Sequence, residues 1–280
     1  MPDMLSFTAF ILQFCFYATS LGLVGLLLCQ ILSVGPRNVH IPMVLLAGFG
    51  MVFYVGSLAL SNAKMGGGFA AMFEPDSFVW VWRIHKTQAL LLGVGLAVVI
   101  LNIALKIKGA ALLAALLLSA SFGSVGHVQA LESPGILPWV VGLHVLVAGF
   151  WVVAPFVLWP RSDVDKSQFI QGMEGYSAVA KYIIPVLFVA GLFLAWILAG
   201  GIEGLLTQPY GQLLVLKLGL VSLVLGLGAY NKIVVTAKLK HDYEQGQLAL
   251  KRTLSVDIAL FVLVLGVIAW ATTITGTGSH

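Results

Sequence analysis

The chain has 280 residues, of which 60% are hydrophobic and only 9% charged, and its mean hydropathy is +1.02. Soluble chains carry roughly 25% charged residues, so this composition excludes a soluble domain and implies an integral membrane protein. The formal charge of +4 is no nucleic-acid signal, because basic residues in a membrane protein mainly set its orientation.

Apolar runs of helical spanning length are predicted at 7–33, 41–62, 80–105, 109–129, 137–159, 178–200, 211–235 and 253–274. Their length favours helices over the alternating short strands of a membrane barrel. The expected fold is an all-α integral membrane protein, a single domain over 1–280 built as a bundle of eight transmembrane helices. The first run is too long for a signal-peptide core and has no basic residues before it, so it reads as a span. Cys15 and Cys29 stand on it fourteen residues apart, about 21 Å along a helix, which excludes a disulfide or a shared metal between them.

The connectors hold the proline, glycine and charge: "GPRNVHIP", "NAKMGGGFAAMFEPDS", "KIKG", "LESPGILP", "PRSDVDKSQ", "GGIEGLLTQPYG" and "KLKHDYEQGQLALKR". The odd-numbered connectors contain eleven Lys and Arg, and the even ones only Lys64, Arg83 and Lys86. That imbalance predicts cytoplasmic odd loops and places both termini outside, in the periplasm for a bacterial inner membrane. Trp80, Trp82, Trp139, Tyr210 and Trp270 then fall near outer ends, and Trp159 and Tyr230 near inner ones, as an aromatic belt requires.

Within this topology three histidines on consecutive helices share the outer third of the membrane. His127 closes the fourth run, His144 lies about 10 Å into the fifth and His85 about 8 Å into the third. Intramembrane ionisable residues tend to face the bundle interior and mark pathways. Imidazole suits copper, zinc, iron and nickel, and thioethers tilt the choice toward Cu(I). Met65 and Met72 flank the "GGG" of the outer loop between the second and third runs, so the candidate metal ligands are His85, His127, His144, Met65 and Met72. His40 and His241 belong to cytoplasmic connectors.

Lys217 is read as a cation snorkelling to the outer interface. Asn231, Lys232, Arg252 and Asp257 are expected as a polar cluster at inner helix ends, and Ser222 with Gly226 as a small-residue packing face. No Cys-x-x-Cys, His-Glu-x-x-His, phosphate loop or Ser/His/Asp set occurs, so no enzyme activity is expected. Met51 and Cys29 are isolated candidates for an inward metal route.

The segments "LHVLVAGFWVV", "PYGQLLVLKLGLVSLVLGLGAYNK" and "LKRTLSVDIALFVLVLGVIAW", with the "GHVQA" ending of the fourth run, resemble the copper resistance protein D (CopD) family. The resemblance implies copper handling at the bacterial inner membrane by a multi-pass protein. It also implies a separate periplasmic copper-binding partner of the CopC type. Matching positions are His127, His144, Trp151, Tyr210, Lys217, Asn231 and Asp257. Two positions depart: Val152, Val153, Ala154 and Pro155 follow Trp151 where the family tends toward a glycine pair, and Asp257 stands where a glutamate is common.

The leading expectation is copper binding and transport from the periplasm, in copper resistance or homeostasis, with copper as the ligand and Cu(I) favoured over Cu(II). Paired histidines would alternatively serve a haem b electron carrier, and a non-catalytic membrane scaffold is the third reading.

Overall fold

A computed structural model describes residues 3–35, 39–126, 128–161 and 164–273, all helical or in turns and connections. Chain order runs α1 (Met4–Leu32), α2 (His40–Met65), a 3-10 turn (Phe69–Phe73), α3 (Pro75–Leu105), α4 (Lys108–Gly123), α5 (Leu137–Val152) and the short α6 (Ala154–Val157). There follow α7 (Lys166–Leu198), the short α8 (Ile202–Thr207), α9 (Pro209–Tyr230), a π-helical turn (Asn231–Val235), α10 (Thr236–His241) and α11 (Tyr243–Thr273).

Seven helical stretches among the described residues are long and apolar enough to cross a membrane: α1, α2, α3, Leu137–Val157, α7, Pro209–His241 and α11. The fourth expected span differs. Instead of 109–129, α4 has 16 residues, about 24 Å at 1.5 Å per residue, against a hydrocarbon core of about 30 Å. Its burial explains how a short helix is accommodated. Ala111, Ala114, Ala115, Leu118, Ser119 and Ser121 are buried, and α1, α3 and α5 pack around it. Protein rather than lipid covers much of its length, so a helix shorter than the hydrocarbon core is tolerated there.

α1 is the core helix. Phe16, Leu23, Val24 and Leu27 are buried at intervals that recur on one helical face, and α2, α4, α5 and α11 pack against it. The α1–α5 crossing is backbone on backbone: a Cβ added at Gly25 would lie 2.2 Å from the Gly149 carbonyl oxygen. Small residues allow this approach where lipid supplies no hydrophobic drive for association. The expected small-residue face at Ser222 and Gly226 plays no such part within the chain. Both residues are exposed, and a Cβ at Gly226 meets nothing within 4 Å.

The last three long helices are longer than their apolar runs. α7 begins at Lys166 rather than 178, the ninth-to-tenth helix stretch continues to His241, and α11 begins at Tyr243 rather than 253. Caps start two of them: Asp165 accepts from Ser167 N–H at 2.9 Å, and Asp242 accepts from Gln245 N–H at 3.1 Å, satisfying donors that a helix start leaves open. The extensions bury a small core of Phe169, Met173, Val235, Leu239, Leu250 and Leu254. Each pair is four residues apart, the spacing that puts two side chains on one helical face. The charged connectors thus conceal amphipathic helix, which a search for continuous apolar runs does not detect.

Candidate functional site

His85 lies on α3, half-buried, with Nδ1 3.2 Å from Gln88 Oε1. An amide oxygen only accepts, so in this pairing Nδ1 carries the proton and Nε2 is left bare, the arrangement that prepares an imidazole for a metal. Tyr54 O–H on α2 points at the His85 carbonyl at a long 3.5 Å. The loop before α3 is shaped by Asn62 on α2. Its amide, wholly buried, donates to the carbonyls of Ala71 at 3.0 Å, Met72 at 3.2 Å and Glu74 at 2.9 Å. That clamp holds the 3-10 turn carrying half-buried Met72, while Met65 at the end of α2 is exposed. Sequence reading passed over Asn62 because a lone asparagine at a helix end looks like an ordinary cap.

His144 has different surroundings. It projects from α5 toward α7, where Gly191 makes room for it: a Cβ added there would lie 3.1 Å from His144 Cε1. Its Nδ1 is buried and makes no hydrogen bond of good geometry, with the Leu187 backbone carbonyl the nearby acceptor, an arrangement that costs free energy unless the nitrogen is better engaged. Lys217 on α9, half-buried, is the charged group close enough to act on it. The helices of His85 and His144, α3 and α5, both pack on α4. His127 lies outside the described residues. Among the described residues no group of three or more His, Cys, Asp or Glu side chains is placed to hold a metal ion.

A second polar cluster occupies the junction of α1, α7 and α11. Tyr176 on α7 stacks on Phe150 with ring centroids 4.5 Å apart and donates its O–H to the Phe150 carbonyl at 2.6 Å. Buried Cys29 on α1 and Asp257 on α11 both lie close enough to Tyr176 to act on its hydroxyl. Trp151 closes one side, edge-on to Phe261 at 5.6 Å. Cys29 is therefore not isolated, and Asp257 is not part of an exposed helix-end cluster: it is buried, whereas Arg252 and Lys232 are exposed. Both cysteines are free thiols. The four residues after Trp151 end α5 and start α6, with Pro155 in the first turn, where its missing N–H costs nothing.

Outside the membrane spans, Asp165 has its carboxyl held below the usual carboxylate range by hydrogen bonds from Ser167. It caps α7 at the edge of an open cleft that also contains the Lys240–Glu174 ion pair, 2.6 Å long.

Among the described residues, seven helices long and apolar enough to cross a membrane, with two buried polar clusters, define a multi-pass α-helical membrane protein. A family model described as Copper resistance protein D matches residues 170–271. A copper resistance protein D of Pseudomonas syringae pv. tomato is 26% identical over 145 residues, covering 47% of this chain and 47% of the relative. The matched region is thus about half the length of each. No solved structure matches the chain. The family match takes in Tyr176, Lys217, Asn231 and Asp257 but stops short of His85, His127 and His144.

Proposed function

We propose that this protein binds copper at the outer side of the bundle and carries it across the inner membrane in copper resistance or homeostasis. The observation that carries the reading is His144: a buried imidazole nitrogen that makes no hydrogen bond of good geometry, opposite a glycine, on a chain whose residues 170–271 match a copper resistance family model. Cu(I) is the favoured form, given thioether and imidazole donors. Met65 and Met72, on the loop clamped by Asn62, capture the ion, His85 offers its bare Nε2, and His127 and His144 serve as further ligands along its path. Lys217 beside His144 opposes a second positive charge, so copper there is held loosely enough to leave, as a transport site requires.

With the short α4 counted as an eighth crossing, the basic residues orient the bundle with both termini periplasmic and the odd loops cytoplasmic. A separate CopC-like copper-binding protein would deliver the ion from the periplasm. The protein performs no covalent chemistry.

The test is the copper content and Cu(I) affinity of detergent-purified protein beside a His85→Ala/His127→Ala/His144→Ala variant. Copper retained by the wild type and lost from the variant is the expected result. Equal copper in both, or in neither, overturns the histidine site, and a Soret band in the purified protein would replace copper with haem.

A further inference from the structure

Among the described residues of the second half, three buried side-chain oxygens lack a hydrogen-bond partner: the Tyr243 hydroxyl at the start of α11, Asp257 Oδ1 further along it and Asn231 Oδ1 at the start of the π-helical turn. Asp257 and Asn231 are more than nine-tenths buried, at 6% and 9% exposure. They belong to elements in direct contact, since α11 packs along α9 and the π turn. The register is fixed by Gly246, whose added Cβ would lie 2.6 Å from the Leu239 Cα. Val235 on the π turn and Leu250 and Leu254 on α11 share one buried core, and Asn231 and Asp257 each lie about one turn from that contact on their own element. π turns interrupt helices mostly at functional positions, and this one begins at the asparagine.

A carboxylate at such a place needs a compensating positive charge. Among the described residues none reaches it. α1 contributes the Cys29 thiol and α7 the Tyr176 hydroxyl, which is already engaged by the Phe150 carbonyl. Lys232, Lys251 and Arg252, on the π turn and on α11 itself, are exposed, and no ion pair involves Asp257. A metal cation is a poor candidate for the missing charge. Hard cations require about six oxygen ligands, whereas Asp257 and Asn231 offer two unengaged oxygens. A proton needs only those two.

We propose that Asp257 and Asn231 form a buried proton-binding site, in which the proton resides on Asp257 and is shared with Asn231 Oδ1. Loading transfers one proton from hydronium to the carboxylate, leaving water and a neutral carboxylic acid, and unloading reverses it. A site of this kind lets a bundle exchange a proton for another cation. It stands apart from the copper reading, because it depends on no residue of the outer site.

Infrared difference spectra of the full-length protein in lipid, titrated across the neutral range in H2O and D2O, test it. The wild type is expected to show the carbonyl band of a protonated carboxylic acid that moves on deuteration. The band is lost in Asp257→Asn, displaced in Asp257→Glu, and displaced again in Asn231→Ala, where the acid loses its acceptor. Should Asp257→Asn fold poorly, the Glu and Asn231 variants still report the site. Identical spectra for wild type and Asp257→Glu at every pH overturn the proposal. So does loss of the band on adding sodium or potassium at constant pH, which would assign the site to a metal cation. Copper content does not enter this measurement, so failure here and failure of the copper reading are separate results.

Discussion

α1 and α9 are both apolar helices, yet they stand in opposite relations to their surroundings. Half of the most apolar stretch of α1 is buried within the chain, whereas only 6% of that of Pro209–His241 is. Four helices surround α1, while α9 packs along α11 and touches the short α8. Hydropathy alone does not distinguish them, because lipid and protein interior are equally apolar. The difference lies in small residues: Gly25 presses on the Gly149 backbone, whereas Gly219, Gly226 and Gly228 have open space before them. The family match covers the loosely packed half. That half also contains Lys217, Asn231 and Asp257, so its polar residues sit where helices have most freedom to shift against one another.

The largest effect should come from destroying the tight contact. Gly25→Val places a side chain into the Gly149 carbonyl, which is backbone and cannot swing aside. Overpacking of this kind costs about 3 kcal/mol, enough to sharply lower the folded yield and thermal midpoint in detergent. Gly226→Ala on the loose side, with nothing within 4 Å, is expected to change stability by less than about 0.5 kcal/mol. Equal losses from both would mean that another protein surface, such as a second copy, covers α9.

Next in size is Asn62→Ala. It removes both N–H donors that hold the carbonyls of Ala71, Met72 and Glu74 and should cost about 1–3 kcal/mol. The loss is local: faster hydrogen exchange over residues 66–74 while α1 and α4 stay protected. Uniform acceleration across the chain would show that the clamp supports the whole first half.

Much of this molecule was legible in the sequence, and the parts that were not share a physical cause. The membrane class and most spans follow from apolar runs, which report the solvent a helix meets. The helical starts at Lys166 and Tyr243 escaped because amphipathic helix outside lipid interrupts those runs with charge. The truncation of α4 escaped because its alanines are buried by neighbouring helices rather than marked in its own composition. At the candidate site, the depth of His85 and His144 was readable, but helix rotation was not. Only the structure turns His144 toward Gly191 and His85 toward Gln88. Asp257 looked like an interfacial charge until α11 was seen to start ten residues earlier than its apolar run, moving the carboxyl well inside the helix.

The polar side of the loose half gives a smaller, opposite effect. Lys217→Met removes the ammonium that acts on His144 and keeps a long apolar side chain on α9. If copper binds at His144, its affinity should rise on the order of tenfold, about 1.4 kcal/mol. Isothermal titration with Cu(I) in the presence of a competing chelator reads this directly. Weaker binding would make Lys217 part of the site's support rather than a repulsive neighbour, and would remove the account of easy release given above.

The smallest effect belongs to the exposed cap at the other end of the loose half. Asp165 accepts from Ser167 at the start of α7, and those hydrogen bonds hold its carboxyl below the usual carboxylate range. A group depressed in the folded state contributes stability that is present above its unfolded value, and that stability disappears as pH falls through the folded value. The first turn of α7 should therefore fray only in acid, below the ordinary carboxylate range, and Asp165→Ala should fray it at neutral pH and flatten that acid response. Hydrogen exchange of residues 166–170 is the measurement, because the carboxyl is solvent-exposed and global unfolding will barely register it. Fraying confined to this turn would show that α7 is anchored by Phe169 and Met173 in the small extension core. Fraying that spreads into Tyr176 would instead tie the cap to the Asp257 cluster and make the capped end of the loose half one cooperative unit.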